Sequence, residues 1–173
     1  MSTKEPVWLT TEEIERKYYS LFEEKRFTKE FIGQLLRAHL LRGYHNTHER
    51  RNYVLEESWL DLLVHVNYNL YLQMQPVNGE PIKFSVPSYC KVPLEVRYEM
   101  DRSWYSPTEI LDENPKLKYE RIFTEPFIVQ LIRAGLLRGK LDLHEKCALV
   151  LLPSFIELLL YRNFTLTQNM YSP

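Results

Sequence analysis

Cysteine is scarce: Cys90 and Cys147 are the only two, with no CxxC spacing, too few for a disulfide framework. That scarcity points to a reducing cytoplasm as the location. No apolar run approaches the roughly 18 residues of a membrane span, and Met1-Ser2-Thr3-Lys4-Glu5-Pro6 lacks the basic and apolar regions of a signal peptide, so no membrane partner is expected. Five glycines, spread singly along 173 residues, make no phosphate-cradling loop. No nucleophile or carboxylate cluster stands out, so a non-enzyme without cofactor is expected. His45 and His48 are spaced three apart, but no cysteine or carboxylate group completes a metal site. His48-Glu49 and His144-Glu145 lack the partners that acid–base catalysis requires. A net charge of −1, with pI near 6.5, excludes a uniformly basic nucleic-acid binder.

What the chain does have is a repeat. Ile32-Gly33-Gln34-Leu35-Leu36-Arg37-Ala38-His39-Leu40-Leu41-Arg42-Gly43 recurs as Ile128-Val129-Gln130-Leu131-Ile132-Arg133-Ala134-Gly135-Leu136-Leu137-Arg138-Gly139, an offset of 96 residues. The offset holds without a gap from Trp8/Trp104 to Leu70/Leu166, through pairs such as Phe27/Phe123, Thr28/Thr124, His48/His144 and Leu62/Leu158. Two copies are too few for a solenoid, which needs about three repeats to bury a continuous core. A tandem pair of small units fits: 1–75, a connector at 76–103, and 104–173. Units of about 70 residues are near the lower limit for an independent core, so the copies are expected to pack on each other or on the connector.

Charge is uneven beneath the neutral average. Residues 25–51 hold seven basic and two acidic side chains, a net of +5, and the matching segment 121–147 holds five and three, a net of +2.

Local signals order the elements. A threonine after Trp8-Leu9 caps a first helix with an acidic first turn, and Ile14, Tyr18, Leu21 and Phe22 continue its apolar stripe. Thr28 caps a second helix, with Phe27 and Ile32 placed as a hydrophobic staple. Phe31, Ile32, Leu35 and Leu36 form its buried stripe, leaving Lys29, Glu30, Gly33, Gln34 and Arg37 on a polar face. In the second copy Thr124 caps, Pro126 stands in the first turn, and Gly135 ends the helix where a left-handed residue is wanted; His39 holds that place in the first copy. A β-hairpin follows, over Tyr44–Leu55 with His48, Glu49, Arg50 and Arg51 at its tip, and over Lys140–Leu152 in the second copy. Third helices are expected to begin at Ser58 and at Pro153-Ser154. The fold class is therefore mainly α with small β-hairpins, α+β. Tyr68, Tyr71 and Tyr161 are expected to pack with wet hydroxyls.

"WLTTEEI", a polar-faced helix ending "LIRAGLLRG", a short hairpin and an "SWLDLL" helix together resemble the excisionase and MerR-type winged helix-turn-helix domains, over most of each copy. The resemblance implies a second helix in the DNA major groove and a hairpin wing on the backbone or minor groove. It assigns Lys29, Gln34 and Arg37, with Gln130 and Arg133, to groove contacts, and Arg50, Arg51 and Lys146 to the wing; Arg42, Arg138 and Lys140 join them as DNA-binding candidates. The chain departs from that pattern at 19–26 and 114–122, too long for the usual tight turn, so the first helix runs on or a short element is inserted.

Four prolines (Pro76, Pro81, Pro87 and Pro93) and the turn signal Asn78-Gly79 make 76–103 an ordered, non-helical connector, with extended strands expected at 82–86 and 92–98. The reading with double-stranded DNA as partner is a transcriptional regulator or excisionase-like architectural factor, a monomer with internal pseudo-symmetry or a weak homodimer. The alternative is a protein–protein interaction adaptor on the same fold, which Glu30, Glu125 and the neutral charge favour.

Overall fold

A computed structural model describes residues 5–74, 104–142 and 147–171. The expected connector at 76–103, with its two strands, lies outside these residues, as do Lys146, the His144-Glu145 pair and the side chain of Tyr71. None of the described helices is long and apolar enough to cross a membrane.

The same series of elements occurs twice. In the first repeat it runs β1 (Trp8–Thr10), α1 (Thr11–Lys17), α2 (Tyr19–Glu23), α3 (Lys29–Arg37), β2 (Gly43–Asn46), β3 (Arg51–Leu55) and α4 (Glu56–Met74). In the second it runs β4 (Trp104–Tyr105), α5 (Pro107–Glu113), α6 (Pro115–Tyr119), α7 (Glu125–Ala134), β5 (Gly139–Asp142), β6 (Cys147–Leu151) and α8 (Leu152–Tyr171). The class is α+β, with eight helices among the described residues and two small antiparallel sheets ordered β1-β3-β2 and β4-β6-β5.

Hydroxyl caps start the helices at the expected places. The Thr10 side chain accepts from the Glu13 N–H at 3.2 Å while the Thr10 N–H donates to the Glu13 carboxylate at 3.1 Å, a reciprocal capping box. Thr28 and Thr124 accept from the N–H groups of Phe31 and Phe127. The first apolar stripe is not one helix. The backbone breaks at Tyr18 (φ −120°, ψ 42°) and at Asn114 (φ −124°, ψ 69°), so a short extra helix, α2 or α6, fills the long link. Lys25 and Arg121, at equivalent places, both adopt left-handed φ of 58° and 57° to turn the chain toward the next cap.

Three expectations are corrected. The long helices begin at Glu56 and Leu152, ahead of Ser58 and Ser154, because β3 and β6 run straight into them. The two serines instead tie down the chain that leaves the preceding helix, since Ser58 Oγ accepts the Arg42 N–H and Ser154 Oγ accepts the Arg138 N–H, both at 2.8 Å. Tyr68 and Tyr161 are buried, hydroxyl included for Tyr161, since both fall on core-facing stripes. Leu36, expected in the buried stripe, is only half-buried.

Compact units cut across the repeats. One takes the described residues up to Val64 together with those from Thr165 onward; the other takes those from His65 to Phe164. The first gathers Ile14, Phe27, Phe31, Leu35, Val54 and Trp59 into its core, with the Phe27 ring edge-on to Trp59 at 5.3 Å. The second includes the C-terminal part of α4. There the Asn69 amide donates to the Gly135 carbonyl at 3.0 Å, and the His65 ring lies 5.2 Å from that of Tyr161.

Candidate nucleic-acid interface

The first repeat builds an open groove of about 520 Å³ between α3 and its sheet. Helix α3 contributes Lys29, Glu30, Gly33, Leu36 and Arg37, and the strands contribute Gly43, Tyr44, His45 and Asn52. Of the two glycines that line it, Gly43 sets its width. A methyl on Gly43 would lie 2.2 Å from the Tyr53 carbonyl and 2.7 Å from Leu36, so only glycine lets β2 come this close to α3. A methyl on Gly33 would meet the Asn52 amide at 3.4 Å, ordinary clearance for a small residue. Leu36 is half-buried because it forms part of this opening.

Lys29 and Arg37 stand exposed along the helix side. Lys29 pairs with Glu15 at 3.4 Å, a surface interaction of low stability. Opposite them, the His45 ring nitrogen Nδ1 and the Asn52 side-chain oxygen lie 2.8 Å apart, presenting a paired polar edge. At the hairpin tip the Asn46 side chain accepts the N–H groups of His48 and Glu49, and Arg50 takes a left-handed φ of 54°. That turn leaves Arg50 and Arg51 exposed at the end of the sheet. Positive charge extends to α1, where the Glu12 carboxyl is held below its ordinary range chiefly by its own backbone N–H, against the opposing effect of burial, with Thr11, Lys29 and Arg51 adding smaller contributions.

By strand alternation, Trp8, Tyr44, Tyr53 and Arg51 share the sheet face opposite Val54. Tyr44 and Tyr53 stack at 5.2 Å with 17° between planes, and Trp8 meets Tyr44 at 5.3 Å and 68°. The Tyr53 hydroxyl donates to the Glu49 carboxylate, which raises the phenol above its ordinary range, with burial adding to the effect. No sequence signal singled out Trp8 or Tyr53 for function. Pairing of β2 with β3 brings Tyr53 to Tyr44, but the place of Trp8 depends on β1, a strand of three residues with too few positions to show a period.

The other predicted residues are distributed differently. Arg138 is corrected: it is buried, with its guanidinium 3.9 Å from the buried Glu157 carboxylate, and serves the packing of α8 rather than a DNA surface. Arg42, its counterpart, is half-buried, and its charge acts on Asp61, whose carboxyl is raised chiefly by burial. It does not line the groove. Gln34 and Gln130 are half-buried, and Gln34 also stays outside the groove lining. Arg133 is exposed on α7. Lys140 is exposed, but its ammonium lies over the Trp104 ring at 4.5 Å, a cation–π contact. Glu125, at the start of α7, accepts the Thr108 hydroxyl at 2.6 Å.

Basic side chains, an amide and an imidazole thus converge in the first repeat, and a smaller set faces solvent in the second. No protein-family model, curated protein or solved structure matches the chain.

Proposed function

We propose that the chain is a DNA-binding protein that engages double-stranded DNA through its first repeat, with the polar side of α3 toward the major groove and the hairpin tip on phosphate. The observation that carries this reading is the α3–sheet groove, where Lys29 and Arg37 face His45 and Asn52 beside the exposed pair Arg50 and Arg51. Arginine suits guanine edges and asparagine suits adenine, while arginines on a turn suit phosphate. The reading also draws on the resemblance to excisionase and MerR-type winged helix-turn-helix domains, from whose order the chain departs by the leading strand β1 and the inserted α2. The second repeat is assigned a lesser part, since Arg138 is buried and Lys140 is engaged by Trp104. In this reading the protein is a transcriptional regulator or architectural factor of the cytoplasm and not an enzyme.

The test is equilibrium binding of the purified chain to a mixed-sequence duplex across a salt series. Each phosphate contact contributes about 0.9 to the slope of log K against log salt, so Arg50→Ala with Arg51→Ala is expected to flatten the slope by roughly 2. Arg37→Ala is expected to weaken binding, and Arg133→Ala to leave it nearly unchanged. Absence of binding at low salt overturns the reading and turns attention to a protein partner.

A further inference from the structure

The aromatic face of the first sheet lies on the side of the strands opposite Val54, and of its three rings Tyr44 alone also lines the α3 groove, whereas Trp8 and Tyr53 do not. Trp8 and Tyr44 remain 42% and 48% exposed although both are large rings, and stacking on Tyr53 extends them into a run of three. Trp8 and Tyr44 pack edge to face at 68°, and both keep ring surface in solvent. Arg51 lies on the same face, two residues from Tyr53 along β3, and Arg50 precedes it. The acid at this end, Glu49, has its carboxylate on the Tyr53 hydroxyl.

Planar rings next to guanidinium groups make the combination that holds unpaired bases: every base has a π-face to stack, and the cation meets the phosphate beside it. The second repeat serves as an internal control. Lys140 and Leu149 replace Tyr44 and Tyr53 there, and the Lys140 ammonium covers the Trp104 ring. One repeat fills this site with its own cation, and the other leaves it open.

We infer that the outer face of the β1-β3-β2 sheet is a binding site for an unpaired base of single-stranded DNA, stacked on Tyr44 and Trp8 with the adjacent phosphate at Arg50 and Arg51. The inference rests on the reading of the first repeat as DNA-binding and adds a preference for DNA with a single-stranded extension. Exposed ring surface beside the positive charge of Arg50 and Arg51 is what selects this occupant.

The experiment compares the full chain with its Tyr44→Ala, Tyr44→Phe and Trp8→Leu variants on three labelled probes: an oligothymidylate, a blunt duplex, and the same duplex with a single-stranded tail. Stacking is worth about 1–3 kcal/mol per base, so Tyr44→Ala is expected to weaken the oligothymidylate and the tail advantage by roughly 5- to 150-fold. Blunt-duplex affinity of Trp8→Leu, which lies outside the groove lining, should stay within about twofold, and Tyr44→Phe should retain single-strand binding because it keeps the ring. Trp8→Leu is expected to repeat the loss. A chain that binds blunt duplex but neither oligothymidylate nor the tail overturns this inference and leaves the duplex reading standing. Single-strand binding that survives both Tyr44→Ala and Trp8→Leu overturns the aromatic site. Failure on all three probes overturns both readings.

Discussion

His65 is the residue whose environment most changes its chemistry. Burial moves its pKa from 6.5 down to about 4, opposed by a hydrogen bond with the Leu136 backbone and assisted by the Arg138 charge. The native imidazole is therefore neutral through the range in which the unfolded one takes up a proton. Its contribution is fully present above pH 6.5 and is lost as pH falls toward 4, by up to roughly 3 kcal/mol for a shift of this size. Denaturant titrations at about pH 7 and about pH 4.5 should show that loss, and His65→Gln should reduce the difference between the two. An unchanged pH slope in the variant would exclude His65 as its origin. His39 offers a change in the opposite direction. It adopts φ 60° where Gly135 adopts 84°, and a left-handed side chain costs about 1–2 kcal/mol. His39→Gly is expected to raise stability by up to ~1 kcal/mol after the greater chain entropy of glycine is subtracted. Thermal or urea unfolding reads it directly.

At the scale of elements, the spacing between α3 and β2 depends on Gly43. Gly43→Ala places a methyl against the Tyr53 carbonyl, which cannot move without breaking strand pairing, and overpacking of this kind costs roughly 1–3 kcal/mol. Gly33→Ala, with 3.4 Å of clearance, should be tolerated. A chemical-denaturation comparison of the two variants separates a wide groove from a fixed one. The sequence carried much of this level because the signals were local. Thr10, Thr28 and Thr124 cap where hydroxyls precede apolar stripes, and the hairpins follow the alternation of their strands. The strands β1 and β4 were not legible, being three and two residues long, and neither was the aromatic face that β1 completes. Arg138, taken as a DNA-binding candidate from its basic side chain, proves to be buried. Its partner was visible at the same offset, since Asp61 and Glu157 both stand three residues beyond the repeated serines Ser58 and Ser154. That pairing is a signal of packing. The width of the groove depends on an interatomic distance, which no residue pattern encodes.

At the scale of the molecule, the repeat seen in sequence is not the unit of close packing. Val66, Tyr68 and Asn69 of the first repeat are buried, and the second compact unit claims the chain from His65. A fragment of residues 1–74 or 104–171 is thus expected to lack a cooperative melt by circular dichroism, whereas the full chain unfolds with the stability of a folded domain. Two sharp independent melts from the fragments would contradict this. None of it was legible from the stripe of α4, because Trp59, Leu62, Val66 and Asn69 follow one spacing whichever neighbours they meet.

His65 and Asn69 stand one turn apart on α4, and each meets a different element of the second compact unit, so the helix works as a shaft with two keys. Each residue added to an α-helix turns everything beyond it by about 100° and advances it by about 1.5 Å. One alanine inserted between Val66 and Asn67 would leave every side chain of the protein present and every strand intact. The two keys would nevertheless fall out of phase: with the His65 ring seated on Tyr161, the Asn69 amide would swing away from the Gly135 carbonyl, and with the amide seated, the ring would leave. Length in α4 is therefore held as tightly as composition is elsewhere, and substitution along its exposed side is far better tolerated than any gain or loss of a residue.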